Sequence, residues 1–106
     1  MPRPLGITSL RILGAIRDGI AFGLEIVRET GMPSGTVYPT LGRLKRRGYV
    51  EAHWEDQDIA DGESRPRRRY YELTSEGREA LAAGAARVAS LAAELSRGAV
   101  GAEEST

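Results

Sequence analysis

The sequence predicts a mostly α-helical fold with one small β-hairpin, and three observations support this prediction. Apolar side chains recur every three to four residues through most of the 106-residue chain, which is the spacing of a helix face. Between residues 50 and 73 the spacing changes to two, which is typical of strands. Gly19, Gly31 and Gly48 follow the helical stretches, where glycine lets a chain leave a helix. The predicted order is three helices, a hairpin and one long helix.

The first two predicted helices are short and almost adjacent. Leu10 and Leu13 begin an apolar repeat at helical spacing, so the first helix is expected over about residues 8–18. The second helix has about eight residues, with Ile26 on its apolar side, and ends in a tight turn at Gly31. Two helices joined by a short glycine turn form a helix-turn-helix pattern with the helix that follows.

The third helix is predicted from Pro33-Ser34 to Arg47, and Val37, Leu41 and Leu44 form its apolar stripe. The opposite face is cationic and kept low by glycine, which suits close approach to the major groove and to phosphates. The alternative is the solvated face of a core helix, and charge alone does not decide between the two. The exposed face and its flanks comprise Gly35, Thr36, Tyr38, Pro39, Gly42, Arg43, Lys45, Arg46 and Arg47.

A β-hairpin is expected after the third helix. Its first strand alternates Val50, Ala52 and Trp54 with polar residues, and its second strand is expected around residues 70–73. The phase of Trp54 favours core packing over stacking on a ligand. The same phase places His53 on the outer face, where a surface residue is a better interpretation than a general base.

The charge of the chain is segmented, although its 15 basic and 15 acidic side chains sum to zero. Residues 51–64 are acidic, whereas arginines stand at the start of the returning strand. A helix-turn-helix followed by such a hairpin is the layout of a winged helix, with the third helix in the major groove and the wing on the backbone or minor groove. We therefore predict binding of double-stranded DNA through Ser34, Gly35, Thr36, Tyr38, Pro39, Arg43, Lys45, Arg46, Arg47, Arg65, Arg67, Arg68 and Arg69.

Two blocks of the sequence form specific motifs. The first spans residues 33–44 and continues into Gly48-Tyr49-Val50 and Trp54-Glu55, and the second spans residues 67–77. These blocks resemble those of PadR-type transcriptional regulators. The resemblance implies a homodimeric winged-helix regulator from a bacterium or phage, usually a repressor, on a pseudo-palindromic operator. It also implies DNA contacts for Thr36 and Tyr38. The sequence departs from the family pattern at Phe22-Gly23-Leu24-Glu25 and at Lys45, which makes the third helix more basic.

The last helix is predicted over residues 74–97 and is rich in alanine. Its apolar residues follow a heptad spacing, and its length of about 36 Å exceeds what a small domain covers, so a second copy is expected to pack on it. The alternative is packing on its own domain alone. The predicted dimer contacts are Leu10, Leu13, Leu81, Gly84, Ala85, Val88, Leu91, Ala92 and Leu95. The chain thus divides into a winged-helix DNA-binding domain (residues 1–74), a dimerisation helix (residues 75–97) and a disordered tail (residues 98–106).

The sequence predicts no catalytic residue, no cofactor and no metal, so the chain is not expected to be an enzyme. It has no cysteine. Asp56, Asp58 and Asp61 resemble a calcium loop, but Arg67 stands where the bidentate glutamate belongs. No apolar run has the length of a signal peptide core or membrane span, so we expect a cytoplasmic location. The expected partners are an operator duplex and a second copy, with an unidentified small-molecule effector left open.

Two other functions compete with this interpretation. One is a winged helix that binds proteins and has lost DNA binding, and the basic face of the third helix weighs against it. The other is a small-ligand sensor with its pocket between two chains. The long helix carries no aromatic residue on which a planar ligand would stack there.

Overall fold

The computed structural model describes residues 3–104, with side chains placed for residues 3–97. A two-stranded antiparallel sheet follows three helices and precedes a long last helix, which confirms the predicted fold class. One further short helix lies between the strands. The elements are α1 (Ile7–Arg17), α2 (Gly23–Thr30), α3 (Ser34–Arg46), β1 (Val50–Trp54), α4 (Gln57–Gly62), β2 (Arg69–Leu73) and α5 (Ser75–Glu104).

The core lies where α1, α2 and α3 meet. The predicted stripe of α3 is fully enclosed, with Val37 and Leu41 0% exposed and Leu44 1% exposed. Ile12 of α1 and Ile26 of α2 are likewise 0% exposed. Each such side chain stabilises the fold by about 1.5–3 kcal/mol, so burial of this stripe fixes which face of α3 remains outside.

The helices end where the glycines predicted. Gly31 follows α2 with a φ of +71°, and Gly48 follows α3 with a φ of +79°. Residues with a Cβ rarely adopt this left-handed conformation, so glycine makes both turns without strain. The turn at Gly31 sets α3 against α2 as a helix-turn-helix.

The hairpin pairs β1 with β2 in antiparallel register, from Val50 opposite Leu73 to Trp54 opposite Arg69. It is attached to the helices at its middle, where the Tyr71 amide donates to the Ala21 carbonyl oxygen at 2.8 Å. This attachment holds the wing beside the start of α2, close to α3.

The prediction that Trp54 packs in the core is wrong, because its side chain is 56% exposed. Val50 is buried at the base of the hairpin, but burial falls along β1 towards Trp54, which lines an open cleft. Strand alternation gives the face of a side chain and does not give the distance to which the core extends under that face. His53 is exposed, as predicted.

The segment between the strands contains helix α4, which the sequence analysis did not predict. The Asp56 carboxylate accepts a hydrogen bond from the Asp58 amide at 3.0 Å and caps the helix start. Ala60, 0% exposed, is the one buried residue of this helix. A helix of six residues has one buried anchor and too few residues to show a period.

Helix α5 begins at a side-chain cap and packs closely on the rest of the fold. The Thr74 hydroxyl donates to the Gly48 carbonyl oxygen at 2.6 Å and accepts from the Gly77 amide at 3.0 Å. A Cβ at Gly77 would collide with the Tyr49 backbone, and a Cβ at Gly84 would collide with Leu10 of α1. These two contacts dock the first third of α5.

Helix α5 is longer than predicted, because it continues to Glu104 rather than ending at Arg97. Residues 98–104, expected in a disordered tail, have helical backbone, and residues 105–106 lie outside the described residues. No proline interrupts this stretch, and its alanines favour the helix despite two glycines. Among the described helices, none is both long and apolar enough to cross a membrane.

Candidate nucleic-acid interface

The face of α3 that is turned away from the core carries the predicted contacts. Thr36 is half-buried, whereas the other predicted residues of α3 and its C-terminal end are exposed. Arg43 is tethered to its own helix: its Nη2 donates to Thr40 Oγ1 at 2.9 Å, and that hydroxyl donates to the Thr36 carbonyl oxygen at 2.7 Å. The exposed residues are Ser34, Gly35, Tyr38, Pro39, Arg43, Lys45, Arg46 and Arg47.

Tyr38 is positioned by a glycine of the preceding helix. Its ring lies so close to Gly23 that a Cβ at this position would overlap the ring. The side chain nevertheless remains 49% exposed, between the start of α2 and the wing. The absence of a side chain at Gly23 therefore makes room for the Tyr38 ring, a role that the motif at helix two does not reveal from the sequence.

The three arginines at the start of β2 lie on aromatic rings. Arg68 Cζ is 4.3 Å from the centroid of the Phe22 ring, and Arg67 Cζ is 5.4 Å from that of Trp54. Arg69 Cζ lies 5.9 Å from the centroids of both Trp54 and Tyr71. In the part of the chain that the structure describes, none of the three forms an ion pair. The rings hold the guanidinium groups in place and leave their positive charge uncompensated.

Two clefts between α3 and the wing bring these groups together. The first, which we name the aromatic cleft, has a volume of about 370 Å³, and the second about 420 Å³. Neither lining includes an acidic residue. Tyr38, Arg69 and Tyr71 line both clefts. The aromatic cleft adds Phe22, Gly23, Leu24, Trp54, Arg67 and Arg68, and the second cleft adds Leu41, Gly42, Lys45 and Arg46.

Arg65, a predicted contact of nucleic acid, lines neither cleft and is held by carboxylates. Its guanidinium pairs with both carboxylate oxygens of Glu55 at 2.6 and 2.8 Å and with Glu63 at 2.7 Å. Its side chain is only 19% exposed. These bonds satisfy the charge of Arg65, so this arginine closes the loop of the wing.

Glu55 is the centre of this closure and was missed as such, although it belongs to the recognised Trp54-Glu55 motif. Besides Arg65, it accepts hydrogen bonds from the Arg68 amide at 3.3 Å and the Tyr70 hydroxyl at 3.2 Å. The hydrogen bonds from Arg65 outweigh the cost of desolvation and lower the pKa of the Glu55 carboxyl to about 2. The same pairing raises the pKa of Arg65. Both groups therefore stay ionised at neutral pH.

Arg47 also lies apart from the clefts. Its Nη2 donates to the Arg3 carbonyl oxygen at 2.9 Å, and its Cζ lies 5.0 Å from the centroid of the Tyr49 ring. It lines neither cleft. Of the two predicted arginines at the end of α3, only Arg46 lies beside the wing.

The predicted dimer contacts fall into two groups. Four are buried inside one chain: Leu13 is 0% exposed, Leu10 and Leu81 are 8% exposed, and Gly84 packs against Leu10. Gly84 and Leu10 bring α5 against α1 within one chain. Leu13 is fully enclosed and has no surface for a partner, so its assignment to the dimer contact is corrected to intrachain packing, whereas the assignment of Leu10, Leu81 and Gly84 stays a prediction. The other five are exposed along α5: Ala85, Val88, Leu91, Ala92 and Leu95.

The described residues contain no group of three acidic or histidine side chains that could hold a metal ion. Acidic residues of the wing instead form local hydrogen bonds. Asp56 caps α4, and Asp61 accepts a hydrogen bond from Gln57 Nε2 at 2.8 Å. The site has the chemistry of a cationic binding surface.

The helix-turn-helix, the wing and the cationic clefts between them define a winged-helix DNA-binding protein. A family model described as the transcriptional regulator PadR-like family matches residues 12–83, which is well over half of the chain. The chain therefore belongs to the PadR-like family of transcriptional regulators. Since this is a family of regulators, the prediction that the chain is not an enzyme is confirmed.

Solved structures share the fold. A PadR family transcription regulator from Clostridium difficile R20291 is similar with a TM-score of 0.77 and 20% identity, over 87% of this chain and 97% of that chain. A PadR-like regulator from Bacillus cereus is similar with a TM-score of 0.73 and 21% identity, over 87% and 90% of the two chains. Bordetella bronchiseptica BpsR, whose DNA binding is regulated by 6-hydroxynicotinic acid, is similar with a TM-score of 0.69 and 21% identity, over 89% of this chain and 67% of that chain. No curated protein matches the chain.

Proposed function

We propose that this protein is a homodimeric repressor that binds a pseudo-palindromic operator through α3 and the wing. The observation that carries the proposal is the pair of clefts between α3 and the wing, which arginine and lysine line without any acidic residue. Such a surface attracts the phosphates that flank the major groove. A regulator of this kind acts on DNA in the cytoplasm of a bacterium, whether the gene is chromosomal or carried by a phage.

The roles within the face follow from where each side chain is held. Arg43 and Thr36 lie on the outward face of α3 and are proposed to meet base edges. Tyr38 and the wing arginines Arg67 and Arg68, at the border of the face, are proposed to meet the backbone. Contacts of the first kind select sequence, and contacts of the second kind fix the position of the protein on the duplex.

Selection of bound sequences from a random duplex pool tests this assignment. It should return one half-site repeated about one DNA turn apart, because a two-fold dimer presents two copies of α3 at that spacing. Replacing Arg43 with Ala should weaken binding to the selected site by about 1–3 kcal/mol and relax preference at one base pair. Arg17→Ala is the matched control, since Arg17 is an exposed arginine at the end of α1 and not on the outward face of α3. If Arg43→Ala bound the selected duplex as tightly as the parent, α3 would not lie in the major groove as proposed.

The proposed dimer uses the part of α5 that extends beyond its own core. Val88 is 40% exposed, Leu91 54% and Leu95 65%, so exposure of apolar side chains rises along the helix. Thirty residues of helix measure about 45 Å, whereas the contacts that hold α5 to its own chain run from Gly77 to Arg87, whose Nη2 donates to the Leu5 carbonyl oxygen at 2.8 Å. An exposed apolar stripe of this kind is typical of an interface, and a second copy offers the same stripe.

A double variant tests the dimer. Val88→Asp with Leu91→Lys should sediment as a monomer and lose most of its affinity for a two-half-site operator, because each half-site then binds alone. Ala86→Asp with Ala93→Lys is the matched control, since both positions are exposed and lie off the stripe. If the Val88/Leu91 variant remained a dimer, the interface would lie elsewhere. In that result, α5 would not be the dimerisation helix.

A small-molecule effector is a further proposed partner. The similar protein BpsR has its DNA binding regulated by 6-hydroxynicotinic acid, and this protein has a cleft of ligand size beside α3.

We further propose that the chain divides into a DNA-binding part, residues 1–74, and a dimerisation helix that begins at residue 75.

A further inference from the structure

The aromatic cleft combines two kinds of side chain that double-stranded DNA does not need together. Trp54 is 56% exposed and Tyr38 is 49% exposed, and both line it. Bases in a duplex are stacked on one another, so a duplex offers phosphates and sugars to such a cleft but no base face. The exposed rings are therefore suited to a planar group that is not inside a double helix.

The arginines of the cleft select the charge of that group. Arg67, Arg68 and Arg69 all line it, and no acidic side chain does. A phosphate monoester carries a charge of about −1.5 to −2 and three acceptor oxygens, so it can bind several guanidinium groups at once. A carboxylate carries a single charge and would leave most of the positive charge uncompensated.

The size of the cleft points the same way. Its volume of about 370 Å³ lies at the lower end of the range of small-molecule sites, roughly 300–1,000 Å³. A phosphate ion alone would leave the aromatic side of the cleft empty. A single base with its sugar and phosphate reaches both sides, and bases stack on aromatic rings and on arginine planes alike.

We propose that the aromatic cleft binds a free nucleoside monophosphate, with the base stacked beside Trp54 and the phosphate held by the wing arginines. This proposal rests on the proposed function in one respect. Tyr38 and the wing arginines are proposed DNA contacts, so a bound nucleotide occupies groups that the operator needs. The nucleotide therefore acts as an effector that releases DNA by direct competition.

Binding of AMP and GMP to the parent protein is the first test. Trp54 is the only tryptophan, so its emission reports occupancy of the cleft. We expect saturable quenching by AMP or GMP, and binding at least tenfold weaker for adenosine, ribose 5-phosphate and benzoate. Equal binding of ribose 5-phosphate would show a phosphate site only, and equal binding of benzoate a site for any aromatic anion. Either result, or no saturation, would overturn the proposal.

Variants of the cleft are the second test, followed with a fluorescently labelled AMP. Trp54→Leu should weaken nucleotide binding about 5- to 150-fold, the effect of losing one stacked ring, whereas Trp54→Phe should retain most of it. Arg68→Gln should also weaken binding. Arg17→Gln, which removes the same charge from α1, should leave binding unchanged. If Trp54→Leu, folded by circular dichroism, bound like the parent, the base would not lie in this cleft.

Competition with the selected operator separates the two proposals. At a nucleotide concentration ten times its dissociation constant, the apparent dissociation constant for the duplex should rise about tenfold. Operator binding that AMP and GMP leave unchanged at saturation would overturn the effector role while the proposed function stands. Nucleotide binding without any operator binding would overturn the proposed function, and the effector role with it, while the nucleotide site itself would stand. If a thymidine oligonucleotide bound the cleft and free nucleotides did not, the site would be one for single strands and the proposal would fail.

Discussion

The arginines of the wing have two kinds of neighbour, carboxylates at Arg65 and aromatic rings at Arg67 and Arg68. Arg65 lies between Glu55 and Glu63, with its side chain only 19% exposed. Arg67 and Arg68, two and three positions further on, lie on the rings of Trp54 and Phe22 and line the aromatic cleft. The sequence shows one basic cluster, whereas the structure divides it into a group that closes the wing and a group that faces outward.

The group that contacts an arginine decides whether that arginine can bind another ligand. Two carboxylates satisfy both the charge and the hydrogen-bond donors of Arg65, so little remains for another ligand. An aromatic ring contacts the face of a guanidinium and leaves its charge and its edge N–H groups available. Only the second group therefore adds to the positive potential of the clefts.

Breaking the ion pair of Arg65 with Glu55 should have the largest effect on stability. Glu55→Ala leaves Arg65 without its main partner in a poorly exposed position and also removes acceptors from the Arg68 amide and Tyr70 hydroxyl. We expect the Tm to fall by about 10 °C or more in a thermal scan, because removing one partner of a largely buried ion pair is strongly destabilising.

The control is the other carboxylate on the same arginine. Glu63 has a side chain 58% exposed, so Glu63→Ala should change the Tm by only about 4 °C or less. Equal effects of the two substitutions would mean that the Glu55 pair is no more important than a surface ion pair, and the contrast between the two arginine groups would fail.

The pH dependence of stability gives a second test of the Glu55–Arg65 ion pair. Folding lowers the pKa of Glu55 to about 2, so the folded state binds this proton less readily than the unfolded state. The stabilisation is therefore complete above the unfolded pKa and is lost as the pH falls from about 5 towards 2. Urea midpoints measured across this range should fall more steeply for the parent than for Glu55→Gln. Parallel curves would contradict the pairing.

The sequence predicts the helices of this fold well because their signals are local. The stripe of Val37, Leu41 and Leu44 and the turn at Gly48 are both visible in a window of a few residues. Helix α4 was missed because one buried alanine, Ala60, anchors it. The position of Trp54 was missed because it depends on where the helices end beneath the hairpin.

The candidate site was predictable in composition but only in part by residue. The outward face of α3 follows from its buried face, so Thr36 and Arg43 could be placed. The ion pair of Arg65 with Glu55 joins residues ten positions apart, and it depends on the path of α4, which no sequence pattern gives. The same limit applies to Leu13, whose burial against other helices removes it from the dimer contact that its spacing suggested.

The salt dependence of operator binding shows whether Arg67 and Arg68, which lie on aromatic rings, meet DNA phosphates. In the double variant Arg67→Gln, Arg68→Gln, the slope of log Kd against log salt should fall by about one unit for each lost contact, with base preference unchanged. The matched control, Arg17→Gln with Arg28→Gln, removes two exposed charges that line neither cleft and should keep the parent slope. An unchanged slope in the Arg67/Arg68 variant would contradict the account, because these arginines would then only balance the acidic segment of the wing.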